Sequence, residues 1–384
     1  MRDRPDTAAD PASAGEAPAR FDAVLLVSFG GPEAPDEVWP FLRNVTRGRG
    51  VPDERLAEVA EHYQLFGGRS PINDQNRALL ALLDDPLEPR RLYWGNRNSA
   101  PFLAETVAQM AADGIRSAAV FVTAAYASYS SCRQYREDLA GAIEQCPQAS
   151  GIGWYKLRHF YNHPGFVEAQ TDRVREALAQ AGPQAHLVFT AHSIPSVAAQ
   201  TSGPPPGGGA YPHQLAETAG LVAAATGHGQ DWDLVYQSRS GPPSVPWLGP
   251  DIVEHLEALA DRGVRDVVVV PSGFVSDHLE VAFDLDVEAV DAAGRLGIRL
   301  VRAGTVGTHP AFVSMVCELV EERERVELGP TRDSPRPVLG NDPPSHDACP
   351  LGCCPGRIQR AAAAGMPGDG TSAQVGPATG VAGG

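Results

Sequence analysis

The chain has 384 residues, 43% of them hydrophobic, and a formal charge of −16. This length supports two ordinary domains or one two-lobed unit, and the charge repels nucleic acid and anionic membranes, so an anionic ligand needs a local basic patch. The first twenty residues hold no apolar segment of the kind a secretory signal needs, and no window approaches the roughly 18 apolar residues of a membrane span, so a cytoplasmic protein is expected.

Residues 1–20 and 357–384 are rich in Ala, Gly, Pro and Ser and are expected to be unfolded tails. Between them, the short apolar runs FDAVLLVSF, RLYWGN, SAAVFVTA, HLVFTAHS, LVYQSRS and DVVVVPSG suit buried parallel strands. They alternate with helix-like segments such as AETVAQMAADG and DIVEHLEALADRG. This is an α/β pattern. GIRSAAVFVTAAYASYSS at 114–131 aligns without gaps on GVRDVVVVPSGFVSDHLE at 263–280, and VLLVSFGGP parallels HLVFTAHSIP, which sets Phe29 opposite His192. The duplication predicts two similar doubly wound parallel-sheet lobes facing a central cleft. The N-terminal lobe is expected over 21–170, the C-terminal lobe over 171–320, and a segment at 321–356 returns to the first lobe with a cysteine cluster. GPPPGGG at 203–209 reads as a surface loop without chemistry.

His192 ends an apolar run, placing its imidazole at a strand's carboxyl end, where α/β proteins put ligand groups. It could take a proton, ligate a borderline metal, or be a hydrogen-bonded structural residue. Glu280, Asp284 and Glu288 at i, i+4, i+8 stack three carboxylates on one helix face. That row is either a solvated acidic face or, given the flanking Leu279, Val281, Phe283 and Leu285, a file that hands a hard divalent cation inward. Asp277 and His278 stand ready to orient its first member. In the first half, Arg43, Arg47 and Arg49, then Arg69 and Ser70 after a diglycine, suit either carboxylate or phosphate recognition or an ordinary solvated loop. No GxGxxG, phosphate-loop or GxSxG signature occurs. Cys349, Cys353 and Cys354 in CPLGCCP suggest a metal site in a chain of this size.

The ordered series VLLVSFGGP, VTRGRGVP, HYQLFGGRSPIN, YWGNRN, YSSCRQY, FTAHSIP, VYQSRSGPPSVPWLGP and GFVSDHLEVAFDLD resembles the ferrochelatases of actinobacterial type over roughly residues 21–356. The resemblance implies insertion of Fe(II) into a porphyrin in haem synthesis, with coproporphyrin III the substrate of first choice and protoporphyrin IX the alternative. It implies that His192 and Glu280 are catalytic and meet the metal, that Asp284 and Glu288 extend the metal row, and that Ser70, Tyr135 and Arg47 bind the porphyrin. Phe29 stands where some relatives carry a tyrosine able to ligate product iron. The thiols of Cys349, Cys353 and Cys354 then become three ligands of a 2Fe-2S cluster, with zinc or a redox-labile tail as the alternatives. Cys132 is the choice for the fourth ligand, since YSSCRQY reads as a helix start whose dipole favours a thiolate. Expected partners are the porphyrin and Fe(II), with transient contacts to other haem-pathway enzymes. A cobalt or nickel chelatase and a non-catalytic haem carrier are the rival readings on the same fold.

Overall fold

The computed structural model describes residues 20–241, 244–329 and 334–356. Apart from Arg20, the expected tails lie outside the described residues.

Strands β1 (Ala23–Ser28), β2 (Arg91–Asn96), β3 (Ser117–Val122) and β4 (Gly153–Lys156) form a parallel sheet in the order β2-β1-β3-β4. Strands β5 (His186–His192), β6 (Trp232–Gln237), β7 (Asp266–Val270) and β8 (Arg299–Arg302) form a second in the order β6-β5-β7-β8. The two sheets repeat one topology, as the internal repeat in the sequence predicts. Equivalent registers run through both: Ala23 lies opposite Arg91 and Ala118, and Leu187 opposite Trp232 and Val268.

Helices cover both faces, which is why β1 is buried along its whole length and reads as a continuous apolar run. Successive residues still point to opposite faces. Ala23, Leu25 and Val27 pack with α4 (Leu103–Ala112) and α5 (Gln134–Gln145), whereas Val24 and Leu26 join a core that includes Leu79 and Phe312. With α1 (Val38–Val45), α2 (Asp53–Leu65) and α3 (Ile72–Leu87), these complete the first lobe's helices. The second sheet is flanked by α6 (Pro164–Ala181), α7 (Ser196–Gln200), α8 (Ala210–Ala225), α9 (Ile252–Asp261), α10 (Leu279–Phe283) and α11 (Ala289–Leu296).

Helix α12 (Pro310–Leu328) packs on both α6 and α3. Two buried ion pairs fix it. Arg158 donates to Glu322 at 2.7 and 3.1 Å, and Arg90 donates to Glu324 at 2.7 and 2.6 Å. The chain then runs on over the surface, where Asp342 accepts from Tyr161 at 2.9 Å and pairs with His213 at 2.8 Å. No helix among the described residues is long and apolar enough to cross a membrane.

Candidate active site

His192 is the last residue of β5, and the segment after β7 folds over it. Gly273 makes that closeness possible: its N–H donates to Thr190 O at 2.9 Å, and a Cβ there would fall 2.6 Å from the Ala191 side chain. The His192 backbone carbonyl accepts from the Tyr211 hydroxyl at 2.9 Å. Its Nδ1 lies 2.5 Å from Ser193 O, which can only accept, so Nδ1 carries the hydrogen. Nε2 is therefore the working nitrogen, and it faces Glu280 Oε2 at 3.5 Å.

Burial opposes the charged form of His192, but Glu280, the Ser193 carbonyl and Asp284 outweigh it and raise its pKa. Burial likewise opposes the charged form of Glu280, yet His192 and His278 pull its pKa down to about 2. The Glu280 side chain is 49% exposed, so the pair is an open one reached from the cleft. His278 caps α10 by accepting the Glu280 N–H at Nδ1, 3.2 Å away, and burial lowers its pKa. Asp277 is held by Arg302 at 3.0 Å, and its N–H donates to Gln75 of the first lobe at 2.9 Å.

The acidic row departs from the straight helix expected. After α10 the backbone widens into one π turn over Asp284–Glu288 before α11 resumes. Such turns insert an extra residue and recur at functional sites. Asp284 points inward: Ser238 Oγ donates to its carboxylate, and Gln237 Nε2 does so at 3.3 Å. Ser238 holds this position at φ +61°, a left-handed conformation that is costly for a residue with a Cβ. Burial, followed by repulsion from Glu280 and Glu288, lifts the Asp284 pKa to about 7. Glu288 is exposed, and partial burial together with Asp251 raises it.

The opposite wall comes from the first lobe. Phe29, just after β1, packs with Phe41, Leu42, Leu56 and Tyr63, and Leu279 of α10 joins the same apolar group, closing the cleft floor between the lobes. His62 stacks on Phe283 with 3.7 Å between ring centroids, and burial and Glu280 together push the Tyr63 hydroxyl up. Ser70 is buried beside Gly31, where a Cβ would fall 2.5 Å from it, so the two diglycine motifs interlock. Tyr135 is buried too, under the Arg97 guanidinium, 4.5 Å from its ring centroid; Arg97 also lies over Phe29 and pairs with Asp138. Arg47 is exposed at the end of α1.

A second set of residues gathers where the return segment meets the first lobe. Cys132 Sγ lies 4.0 Å from Cys349 Sγ, and Cys353 Sγ lies 3.9 Å from Cys354 Sγ. Cys146 and Cys317 pack elsewhere, against separate apolar cores. Cys132 lies in a π turn at Tyr129–Arg133 just before α5, where the Cys349 interaction and burial raise its pKa. The neighbouring thiols lower the Cys349 and Cys354 pKa values, and Cys353 donates to Cys354.

Sequence reasoning passed over two members of this set. His346 Nε2 stands 3.9 Å from Cys353 Sγ and also neighbours Cys349; its place three residues before Cys349 was the available signal. The loop assigned no chemistry also takes part, since Gly203 N–H donates to Cys354 Sγ at 3.2 Å. Lys156 and His159 are buried close by.

Two parallel sheets of one topology, with a histidine at the end of a central strand beside a file of carboxylates that lines the cleft, define a metal chelatase. The Ferrochelatase family model matches residues 21–324, and the chain belongs to the ferrochelatase family. It is 52% identical to the coproporphyrin III ferrochelatase of Streptomyces griseus over 368 residues, covering 91% of this chain and 97% of that one. It is 54% identical to the coproporphyrin III ferrochelatase of Frankia alni over 357 residues, covering 91% and 88%. In fold it is similar to SirB from Bacillus subtilis with Fe3+, at a TM-score of 0.50 and 12% identity over 80% of this chain and 97% of that one.

Proposed function

We propose that this chain inserts Fe(II) into coproporphyrin III, and that His192 and Glu280 carry the reaction. The observation behind this is the approach of His192 Nε2 to Glu280 Oε2 at 3.5 Å in an open cleft, in a chain about half identical to relatives named for that substrate. Metallation removes two pyrrole protons and exposes nitrogen lone pairs to the ion. The neutral His192 imidazole can accept one of those protons at Nε2, which its raised pKa favours holding, and the Glu280 carboxylate beside it can accept the other. Asp284 and Glu288 supply oxygen ligands along the approach, with Asp284 poised between acid and carboxylate near neutral pH.

Arg47 is the porphyrin-binding cation, exposed and free to reach a propionate. Ser70 and Tyr135 are the first lobe's porphyrin-binding positions, acting through Gly31 and Arg97, which pack directly on them. The lobes divide at the start of α6, a few residues before 170, with 321–356 serving the first lobe and also touching α8 and Gly203 of the second. A cytoplasmic location and transient contact with neighbouring haem enzymes complete the reading.

Cys132, Cys349, Cys353 and Cys354 would hold a 2Fe-2S cluster. Four buried or half-buried sulfurs from two chain segments, one accepting a backbone N–H, suit it. Buried Lys156 beside them offsets thiolate charge. When bound, such a cluster supplies one-electron redox chemistry.

The test is anaerobic Fe(II) insertion into coproporphyrin III and protoporphyrin IX, compared as kcat/KM. A clear preference for coproporphyrin III is expected. Preference for protoporphyrin IX overturns the substrate, and haem binding without consumption of free porphyrin overturns the activity.

A further inference from the structure

The second sheet carries a cluster of metal-ligating side chains at the end away from the cleft. His186 opens β5, Asp233 is the second residue of the paired strand β6, and His255 projects from the first turn of α9. The two imidazoles converge on one oxygen: His186 Nε2 lies 2.7 Å and His255 Nε2 3.0 Å from Asp233 Oδ2. Side-chain exposure is 8% for His186, 12% for His255 and 33% for Asp233, so the group is sheltered and opens to solvent on the carboxylate side.

We propose that His186, Asp233 and His255 bind one divalent transition-metal ion, zinc first, at the amino end of the second sheet. Two imidazoles and one carboxylate, with water completing the tetrahedron, are a donor set that zinc favours. Ligand atoms about 2.1 Å from a tetrahedral ion are about 3.4 Å from each other. The two His–Asp separations would therefore open by roughly half an ångström, in a group whose ligand atoms all lie within 4.8 Å of one another. The other side of the His186 ring supports this, because Nδ1 lies 3.4 Å from Asp231 Oδ1. Without metal each Nε2–H donates to Asp233; an ion would displace those hydrogens, and Asp231 would then accept from His186 Nδ1–H and keep the Nε2 lone pair aimed at the ion. The competing cation is Arg262, 3.7 Å from Asp233 Oδ2, and at 56% exposure it has solvent to swing into.

The site ties β5 to β6 and to α9. His192 lies at the far end of the same strand, six residues on, or roughly 20 Å away. Zinc here therefore stabilises the lobe that carries His192 without entering the reaction.

The experiment titrates Zn2+ into the full chain with 15N-labelled histidine and follows each imidazole, using His→Gln variants for assignment. Nε2 of His186 and His255 should shift together, and both shifts should vanish in Asp233→Asn. Zinc should raise Tm by about 5 °C in wild type. That rise should be lost in Asp233→Asn and in His255→Ala, while Fe(II) insertion at a permissive temperature stays unchanged. Zinc that moves only His192 or His346, or a Tm rise that survives both substitutions, overturns the proposal.

Discussion

Replacing Asp284 by Asn removes one ionisation while keeping the side chain's shape and its ability to accept from Ser238 and Gln237. The carboxyl titrates near 7 in the folded protein, against a reference of 3.8. Between pH 6 and pH 8 its ionised fraction therefore rises from about 10% to about 90%. A relay that passes iron along the charged form should show kcat/KM for Fe(II) climbing roughly tenfold from this group over that range, and the Asn variant should lose that component. The ionisation of His192 remains in the variant, shifted downward because Asp284 helps to raise it. Stability gives an independent reading. Because the folded value is raised, the carboxyl's contribution is fully present below the unfolded value and is lost as pH rises through about 7. Relative to Asp284→Asn, the wild type should lose about 3 kcal/mol between pH 5 and pH 8, measured by urea unfolding at each pH. Parallel pH profiles for the two proteins, in both assays, would refute the inward, desolvated placement of Asp284.

Arg47→Ala should weaken coproporphyrin III by about tenfold, as loss of a charge-assisted hydrogen bond requires, and weaken a porphyrin lacking the matching propionate less; equal losses by fluorescence titration return Arg47 to an ordinary solvated loop. Cys132→Ser should abolish the visible absorption and acid-labile sulfide of anaerobically purified protein, whereas Cys146→Ser and Cys317→Ser should retain both; one bound zinc in a colourless wild type counts against the cluster. Glu322→Ala leaves Arg158 buried without its partner, side chains that are now 4% and 1% exposed, and should cost about 3–5 kcal/mol in urea unfolding. A loss under 1 kcal/mol would show that water or the Pro337 carbonyl, 3.0 Å from its guanidinium, satisfies Arg158 instead.

The sheet interiors were legible because β1, β3, β5 and β7 are buried on both faces and leave continuous apolar runs. β4 and β8 escaped, being four-residue edge strands, GWYK and RLVR, too short to leave a continuous apolar run. Strand-end position singled out His192 and Glu280, and the structure brings them together. The π turn at Asp284–Glu288 left no mark in the spacing, since i, i+4, i+8 also fits an ordinary helix. Contacts made across the chain were equally silent: the Gly203 donor to Cys354, separated from it by 151 residues, and the left-handed Ser238 on Asp284 depend on tertiary packing. The burial of Ser70 and Tyr135 belongs to the same class, because a motif names a residue without saying what covers it.

Anaerobic stopped-flow metallation of preloaded coproporphyrin III, read as loss of porphyrin fluorescence on mixing with Fe(II), tests most directly whether the His192–Glu280 cleft performs the insertion. Wild type should metallate in a single turnover, while His192→Ala should bind the porphyrin within about tenfold of wild type and leave its fluorescence unchanged after mixing. Metallation by His192→Ala at the wild-type rate would contradict the account.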